Sequence, residues 1–248
     1  MTVKSPSPCP VPDGLAADIA AASRILAHQG VVDAMGHVSL RHPDAPDRFL
    51  MPRAMAPGLT TPDDILQMDL DCTTCGDDSR KGFLERFIHG EIYRARPDVI
   101  SIVHSHSTSV IPFGLARKPM QAMFHNAAFL ARGVPVHDIR QRFGTTDLLI
   151  CDCHRGQDLA KALGQDDVVL MRAHGMVATG PTLQLAVFRA VMTEVNARIQ
   201  HWTLTLADGG EIDALSAEEG VLADAPNSGA SARAWDLWRL RVRQETGW

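Results

Sequence analysis

Two histidines separated by one serine, His104 and His106, lie in the apolar run "VISIVHSHS". If this run is a strand, residues i and i+2 project from the same face, about 6.6 Å apart. Two imidazoles placed in this way can ligate one divalent ion, or they can be buried histidines that bond to the backbone. We favour a metal site, because burying two polar rings together is costly unless each ring finds a partner.

A third histidine, His174, ends the run "VVLMRAHG", which predicts a strand that stops at Gly175. Strand ends in α/β sheets commonly carry binding sites. Three histidines with an open fourth position are typical of a catalytic metal rather than a structural one. Upstream, Glu85 shares a helical face with Ile88 and His89, although taken alone it is more simply interpreted as an exposed carboxylate on a surface helix.

The elements that must position these side chains follow from periodicity and from turn residues. Apolar spacing predicts helices over residues 13–29 and 82–95. A long helix is predicted from Pro181, in its first turn, to Leu206, with one apolar stripe along it. The segment "ARAWDLWRLRVRQ" predicts a short amphipathic helix that docks on a neighbouring subunit.

Strands and helices alternate without a strict βαβ repeat, so a single α/β domain with a mixed or antiparallel sheet is the simplest fold class. We expect a flexible tail over residues 1–12, a catalytic domain over 13–207 and a C-terminal extension over 208–248.

The composition excludes several classes of function. The 248 residues carry a formal net charge of −5, which gives no basic surface for nucleic acid. No apolar run reaches the roughly 18 residues of a membrane span, and the N-terminus lacks the apolar centre of a signal peptide. We therefore expect a cytoplasmic protein without nucleic-acid or membrane partners.

The ordered set "GHVSLR", Glu85, H-x-H and "RAHGM" resembles the class II aldolase/adducin family over roughly residues 15–205. The resemblance implies a three-layer α/β/α sandwich around a central, mostly antiparallel sheet. It implies that His104, His106 and His174 bind one divalent ion (Zn²⁺, Mn²⁺ or Co²⁺) and that Glu85 is the acid/base. It also implies a homo-oligomer, a tetramer or larger, with sites near subunit interfaces.

The chain departs from the sugar-phosphate aldolases of this family at two places. Their Ser-Ser pair, which helps to hold phosphate, is replaced by Phe83 and Leu84. Their tyrosine proton donor is replaced by Asn126, and the only tyrosine of the chain, Tyr93, lies elsewhere. The metal and glutamate positions are kept while the substrate contacts differ, which indicates related chemistry on another substrate.

Three segments, "ILAHQGVVDAMGHVSLRHPDAPDRF", "ERFIHGEIYRARPDV" and "VIPF", are similar to the family's decarboxylases of hydroxylated ring acids. These are the 3,4-dihydroxyphthalate and hydroxy-methylpyridine-dicarboxylate decarboxylases. The resemblance implies a metal-dependent decarboxylase of an aromatic or pyridine acid in aromatic catabolism. The alternatives are an aldolase for an unphosphorylated hydroxy-keto acid and an adducin-like binding module without chemistry.

The expected mechanism places a ring hydroxyl and the adjacent carboxylate on the metal, and Glu85 or a water that it holds protonates the ring carbon. A second substrate carboxylate needs a cation, for which Arg53 is the candidate, although a solvated loop arginine is the alternative. His37, His125 and Asn126 are further candidate substrate contacts, and the two histidines can equally be structural.

Overall fold

The computed structural model describes residues 11–76, 78–116 and 118–247. Of the predicted tail, residues 1–10 lie outside this described part. The strands are β1 His37–Arg41, β2 Arg48–Pro52, β3 Ile65–Asp69, β4 Ser101–Ser105, β5 Val136–His137, β6 Val168–Met171 and β7 Gly175–Gly180. The α-helices are α1 Asp13–His28, α2 Phe87–Ala95, α3 Ile111–Leu115, α4 Arg140–Phe143, α5 Cys153–Leu163, α6 Leu183–Leu206, α7 Ala217–Ser228 and α8 Ser231–Thr246.

The strands form one sheet in the order β3-β2-β1-β4-β7-β6-β5. Each neighbouring pair is antiparallel except β5 and β6, which are parallel. The central strand β4 pairs with β1 and β7, and this register sets His37 opposite His104. The predicted mixed α/β fold with a mostly antiparallel sheet is therefore confirmed.

Apolar side chains leave the central strand on both faces of the sheet. Val103 packs in a core with Ile25 and Val187, which belong to α1 and α6. Its neighbour Ile102 packs in a second core with Ile92, which belongs to α2. Because successive side chains of a strand point to opposite faces, these two cores place helices on both sides of the sheet, which gives three layers.

Gly175, at the start of β7, lies very close to the backbone at the end of β4. A Cβ atom on Gly175 would lie 1.9 Å from the backbone oxygen of Ser105. Any side chain at this position would therefore push β7 away from the end of β4, so the sequence needs glycine here.

The strand predicted to run through His174 ends earlier, at Met171. Residues 172–174 instead form a tight connection between the antiparallel strands β6 and β7, with Ala173 at a φ of 55°. A left-handed alanine is uncommon, so the residue types gave no turn signal, and the expectation of one strand up to Gly175 was wrong. His174 consequently lies in a turn rather than on a strand.

The long helix forms as predicted and ends at Leu206, but it begins after Pro181 and its last turns are exposed. Thr182 caps α6 through a bond that its side-chain oxygen accepts from the backbone of Leu185, so Pro181 precedes the helix. At the other end Trp202 is 61% exposed and Leu206 is 89% exposed. The apolar stripe is therefore not buried over the last turns of the helix.

The C-terminal segment contains two helices, α7 and α8. Trp235 and Trp238 of α8 are buried, and the ring of Trp238 stacks on Phe188 with centroids 6.4 Å apart. The apolar face of α8 thus packs on the layer of α1 and α6 in the same chain, rather than on a neighbouring subunit as the sequence predicted.

None of the helices in the described ranges combines the length and the apolar composition needed to cross a membrane.

Candidate active site

Four side chains converge where β4 ends. The ligand atoms of Glu85, His104, His106 and His174 all lie within 4.8 Å of one another. The Nε2 atom of His106 lies 3.1 Å from that of His104 and 3.0 Å from that of His174. The Oε2 atom of Glu85 faces the same three nitrogens at 3.5, 3.8 and 3.3 Å from His104, His106 and His174.

Separate parts of the fold supply these four groups. His104 lies on β4, and His106 follows the last strand residue, Ser105. His174 comes from the turn between β6 and β7, next to Gly175. Glu85 lies in a 3-10 turn that precedes α2. The site therefore depends on contacts between segments that are distant in sequence, and the sheet holds them in register.

Backbone carbonyls fix the orientation of two of the rings. The Nδ1 atom of His104 lies 3.0 Å from the oxygen of Met176, and the Nδ1 atom of His174 lies 3.0 Å from the oxygen of Leu148. A carbonyl only accepts, so each Nδ1 carries the proton and each Nε2 presents a lone pair to the centre. This second hydrogen bond is the usual support of a metal-binding histidine.

The donor set fits a divalent cation. Lone pairs on His104 and His174 and a carboxylate face one small space, which is unfavourable unless positive charge lies between them. Nitrogens at about 2.0–2.1 Å from a tetrahedral ion lie about 3.3 Å apart, close to the separations found here. The cluster can therefore hold one divalent ion, with three imidazoles as ligands and Glu85 beside it.

The carboxyl group of Glu85 is buried but well supported. Its Oε1 atom accepts a hydrogen bond of 2.9 Å from the backbone N–H of Ile150. Burial alone would raise the pKa of Glu85, but interactions with the three histidines outweigh it and hold this pKa well below the ordinary value. Glu85 is therefore a carboxylate in the resting protein, and a divalent ion held by the three histidines would favour the same ionised form.

A cavity of about 640 Å³ opens beside these groups, which is within the range of small-molecule sites. Its wall is largely apolar and includes four residues with ionisable side chains, His37, Lys81, Glu85 and His106. The lining residues are Ala34, Met35, Gly36, His37, Ala54, Met55, Ala56, Lys81, Gly82, Phe83, Leu84, Glu85, His106 and Leu149. Such a wall suits a flat, apolar ligand that carries a few oxygens.

The other predicted contacts are distributed unevenly. His37 lines the cavity, and its ring lies 4.5 Å from that of Phe83. Arg53 is not among the lining residues, and its Nε donates 2.7 Å to Asp64 instead. His125 and Asn126 begin a 3-10 helix and are likewise not among the residues that line this cavity. The position of Arg53 does not support its predicted role, because its guanidinium is engaged in a loop ion pair.

Of the lining residues that were not singled out from the sequence, two lie close to Glu85 along the chain or through its hydrogen bond. Lys81 lies four residues before Glu85, and Leu149 precedes the Ile150 amide that binds Glu85. Lys81 could have been found, since it is a cation close in sequence to the predicted catalytic carboxylate. Leu149 had no signal, because only the tertiary fold brings its loop to the site.

Residues 17–201 match the Class II Aldolase and Adducin N-terminal domain. Decarboxylase tropJ of Talaromyces stipitatus is 34% identical, with 90% of this chain and 91% of that protein covered. The 3,4-dihydroxyphthalate decarboxylase of a Terrabacter species is 30% identical, covering 90% of this chain and 94% of that protein. Both similarities extend well beyond the site itself.

A solved structure, L-fuculose 1-phosphate aldolase from Glaciozyma antarctica, superposes with a TM-score of 0.75. The superposition covers 98% of this chain and 96% of that chain at 22% identity. This similarity concerns the fold alone.

Proposed function

The chain belongs to the class II aldolase and adducin family, and from this premise we propose that it is a divalent-metal-dependent decarboxylase of a hydroxylated aromatic carboxylic acid. Family and named relatives make it a carbon–carbon lyase. The proposal rests on one observation: Glu85 and His106, which belong to the cluster of possible metal ligands, also line a largely apolar cavity.

The composition of that wall favours a ring over a sugar phosphate. Phe83 and Leu84 line the cavity at the positions where the resemblance places a phosphate-binding serine pair. Phosphate needs hydrogen-bond donors or cations, and neither side chain supplies one. An aromatic ring instead gains from contact with these apolar side chains.

When bound, the divalent ion would be held by His104, His106 and His174 and would stabilise negative charge on the substrate oxygens. Glu85, as a carboxylate, accepts the proton of the ring hydroxyl. The bond between ring and carboxylate then breaks, CO₂ leaves, and the electron pair stays on the ring carbon. Glu85 returns its proton to that carbon, which balances the reaction without another acid.

Substrate class is tested by direct competition. Purified protein with added Zn²⁺ or Mn²⁺ is expected to release CO₂ from 3,4-dihydroxyphthalate or from another ring acid whose hydroxyl adjoins the departing carboxylate. Product analysis follows CO₂ and the decarboxylated phenol together, with metal-free protein as the control.

The competing function is an aldolase of an unphosphorylated hydroxy-keto acid, which the shared fold and Glu85–histidine cluster favour. Aldehyde formation from such an acid or from a sugar phosphate, with no CO₂ from any hydroxy ring acid, would replace the decarboxylase proposal with this one.

We further propose that Lys81, rather than Arg53, binds a second substrate carboxylate. Lys81 lines the cavity, whereas Arg53 is held by Asp64. Lys81→Ala is expected to raise KM for a dicarboxylate by about tenfold with kcat nearly unchanged, because the contact is equal in ground and transition states. Steady-state kinetics on dicarboxylate and monocarboxylate ring acids measure the effect, which should vanish for the monocarboxylate.

Arg53→Ala is the matched control, since it removes a nearby cation that does not line the cavity. Its KM should stay within about twofold of the parent value. A rise in KM for Arg53→Ala and none for Lys81→Ala would restore the role expected from the sequence.

The identity of the ion as Zn²⁺, Mn²⁺ or Co²⁺, the cytoplasmic location and the homo-oligomer, a tetramer or larger, stay predictions. The exposed apolar side chains of Trp202 and Leu206 are the kind of surface that assembly would cover.

A further inference from the structure

A chain of hydrogen bonds runs from the cavity wall into the protein interior. The Nδ1 atom of His37 lies 2.7 Å from Nε2 of His89, whose Nδ1 lies 2.6 Å from the hydroxyl of Ser39. That hydroxyl lies 2.7 Å from the phenol oxygen of Tyr93. All four side chains are buried, yet only His37 lines the cavity.

The direction of one bond in this chain fixes the direction of the others. Both rings are buried, neither pairs with a carboxylate in the described part of the protein, and their facing nitrogens lie 2.7 Å apart, so both rings are neutral. Burial lowers the pKa of His89 to about 3. A neutral imidazole has one donor nitrogen and one acceptor nitrogen. Ser39 could accept from both of its neighbours, but its own buried proton would then have no acceptor among the described residues. Two arrangements remain, in which the hydrogen bonds all point toward His37 or all point toward Tyr93.

The phenol of Tyr93 decides between the two arrangements. Burial raises its pKa above the ordinary value, so it keeps its proton. It can donate to Ser39 at 2.7 Å or to the carbonyl of Ile100 at 3.4 Å, and that carbonyl already accepts the backbone N–H of Arg41 at 2.7 Å. If Ser39 instead donated to Tyr93, the phenol proton would be left with the 3.4 Å contact to Ile100, which is long for an O–H···O hydrogen bond. Tyr93 therefore donates to Ser39.

The direction of donation is then fixed at each following hydrogen bond, from Ser39 to His89 and from His89 to His37. Ser39 donates to Nδ1 of His89, and Nε2–H of His89 donates to Nδ1 of His37. The proton of His37 must then lie on Nε2. No group in the described part of the chain hydrogen-bonds to this nitrogen.

We propose that Ser39, His89 and Tyr93 are positioning residues that lock His37 as its Nε2–H tautomer, so that His37 offers a hydrogen-bond donor to an oxygen of the ligand in the cavity. The tautomer follows from the protein alone, and only the identity of that oxygen, a carboxylate or hydroxyl of a ring acid, rests on the proposed function. A fixed donor of this kind needs no reorientation when the ligand arrives.

The tautomer can be observed directly. Full-length protein carrying ¹⁵N-histidine, with diamagnetic Zn²⁺ added, is studied by long-range ¹H–¹⁵N correlation spectra at neutral pH. The His37 signals are assigned by their loss in His37→Gln. The expected result is an unprotonated Nδ1 and a protonated Nε2, and a protonated Nδ1 on His37 would overturn the proposal.

Variants then test whether this series of hydrogen bonds controls the His37 tautomer. Ser39→Ala should convert His37 to a mixture of tautomers and lower kcat/KM for 3,4-dihydroxyphthalate by about tenfold, with metal content unchanged. Ser39→Thr keeps a hydroxyl and should restore both. Ser101→Ala is the matched control, because its buried hydroxyl on β4 donates 2.7 Å to the backbone oxygen of Ser39 and takes no part in the chain.

If Ser39→Ala fails to fold, Tyr93→Phe gives a second route, since loss of the phenol proton leaves the Ser39 hydroxyl free to donate or to accept. A single Nε2–H tautomer in every folded variant would mean that the chain does not control His37. A protein that decarboxylates no ring acid, yet shows the tautomer and its loss in Ser39→Ala, would refute the proposed function and leave this inference standing.

Discussion

His106→Ala is expected to lose the bound divalent ion and the activity together while the fold survives. Its side chain is 34% exposed, so removal leaves little packing defect. It also removes one of three nitrogens that face the same space. Because a Lewis acid contributes several kcal/mol to transition-state stabilisation, turnover should fall by at least about a thousandfold.

Metal content is measured by elemental analysis after gel filtration, and the fold by circular dichroism and thermal unfolding. His154→Ala is a suitable control, since it removes an exposed histidine of α5 and should retain about one ion per chain. Full metal content in His106→Ala would show that the three histidines are not the ligands.

Glu85→Gln is expected to keep the metal and to lower turnover by at least about a hundredfold, the usual scale for a general acid/base. The amide has nearly the same shape and can still accept the N–H of Ile150, so the three histidines stay in place. It cannot, however, accept the hydroxyl proton and return it to the ring carbon. Single-turnover decarboxylation and metal analysis on the same sample separate the two effects.

Glu91→Gln is the matched control, because Glu91 is buried on α2 and contacts Arg94 outside the cavity. It should retain near-normal turnover. Loss of metal in Glu85→Gln would make this carboxylate a ligand, and near-normal turnover in that variant would remove it from the mechanism.

Much of the site could be predicted because its chemistry is carried by residue types at short spacing. The H-x-H pair and His174 before a glycine indicated one metal site, the family resemblance added Glu85, and the structure places the four ligand atoms together. The grouping was predicted although three local details differ. Glu85 lies in a 3-10 turn, because the helix predicted over residues 82–95 begins only at Phe87. His106 lies beyond the end of β4, and His174 lies in a turn.

The cavity wall could not be predicted in the same way. Lys81 and Leu149 come from loops whose positions depend on the whole fold, and loops lack the periodicity that reports burial. Arg53 was an attractive cation by type, but its ion pair with Asp64 is a tertiary contact within a polar segment. The hydrogen bonds that link His37, His89, Ser39 and Tyr93 could not be predicted either. Helical spacing shows which face of a helix is buried, but it does not show which polar groups meet there.

The close approach of Gly175 to Ser105 means that some positions around the site tolerate substitution much less than others. Any side chain there would collide with Ser105, so the frame that holds the histidines is closed to variation at this point. Met35 and Leu84 are different: both line the cavity, both are mostly exposed, and neither carries a possible metal-ligand atom. Libraries for directed evolution of new substrate ranges should therefore vary Met35 and Leu84, because changes at these positions leave the backbone that holds the histidines intact.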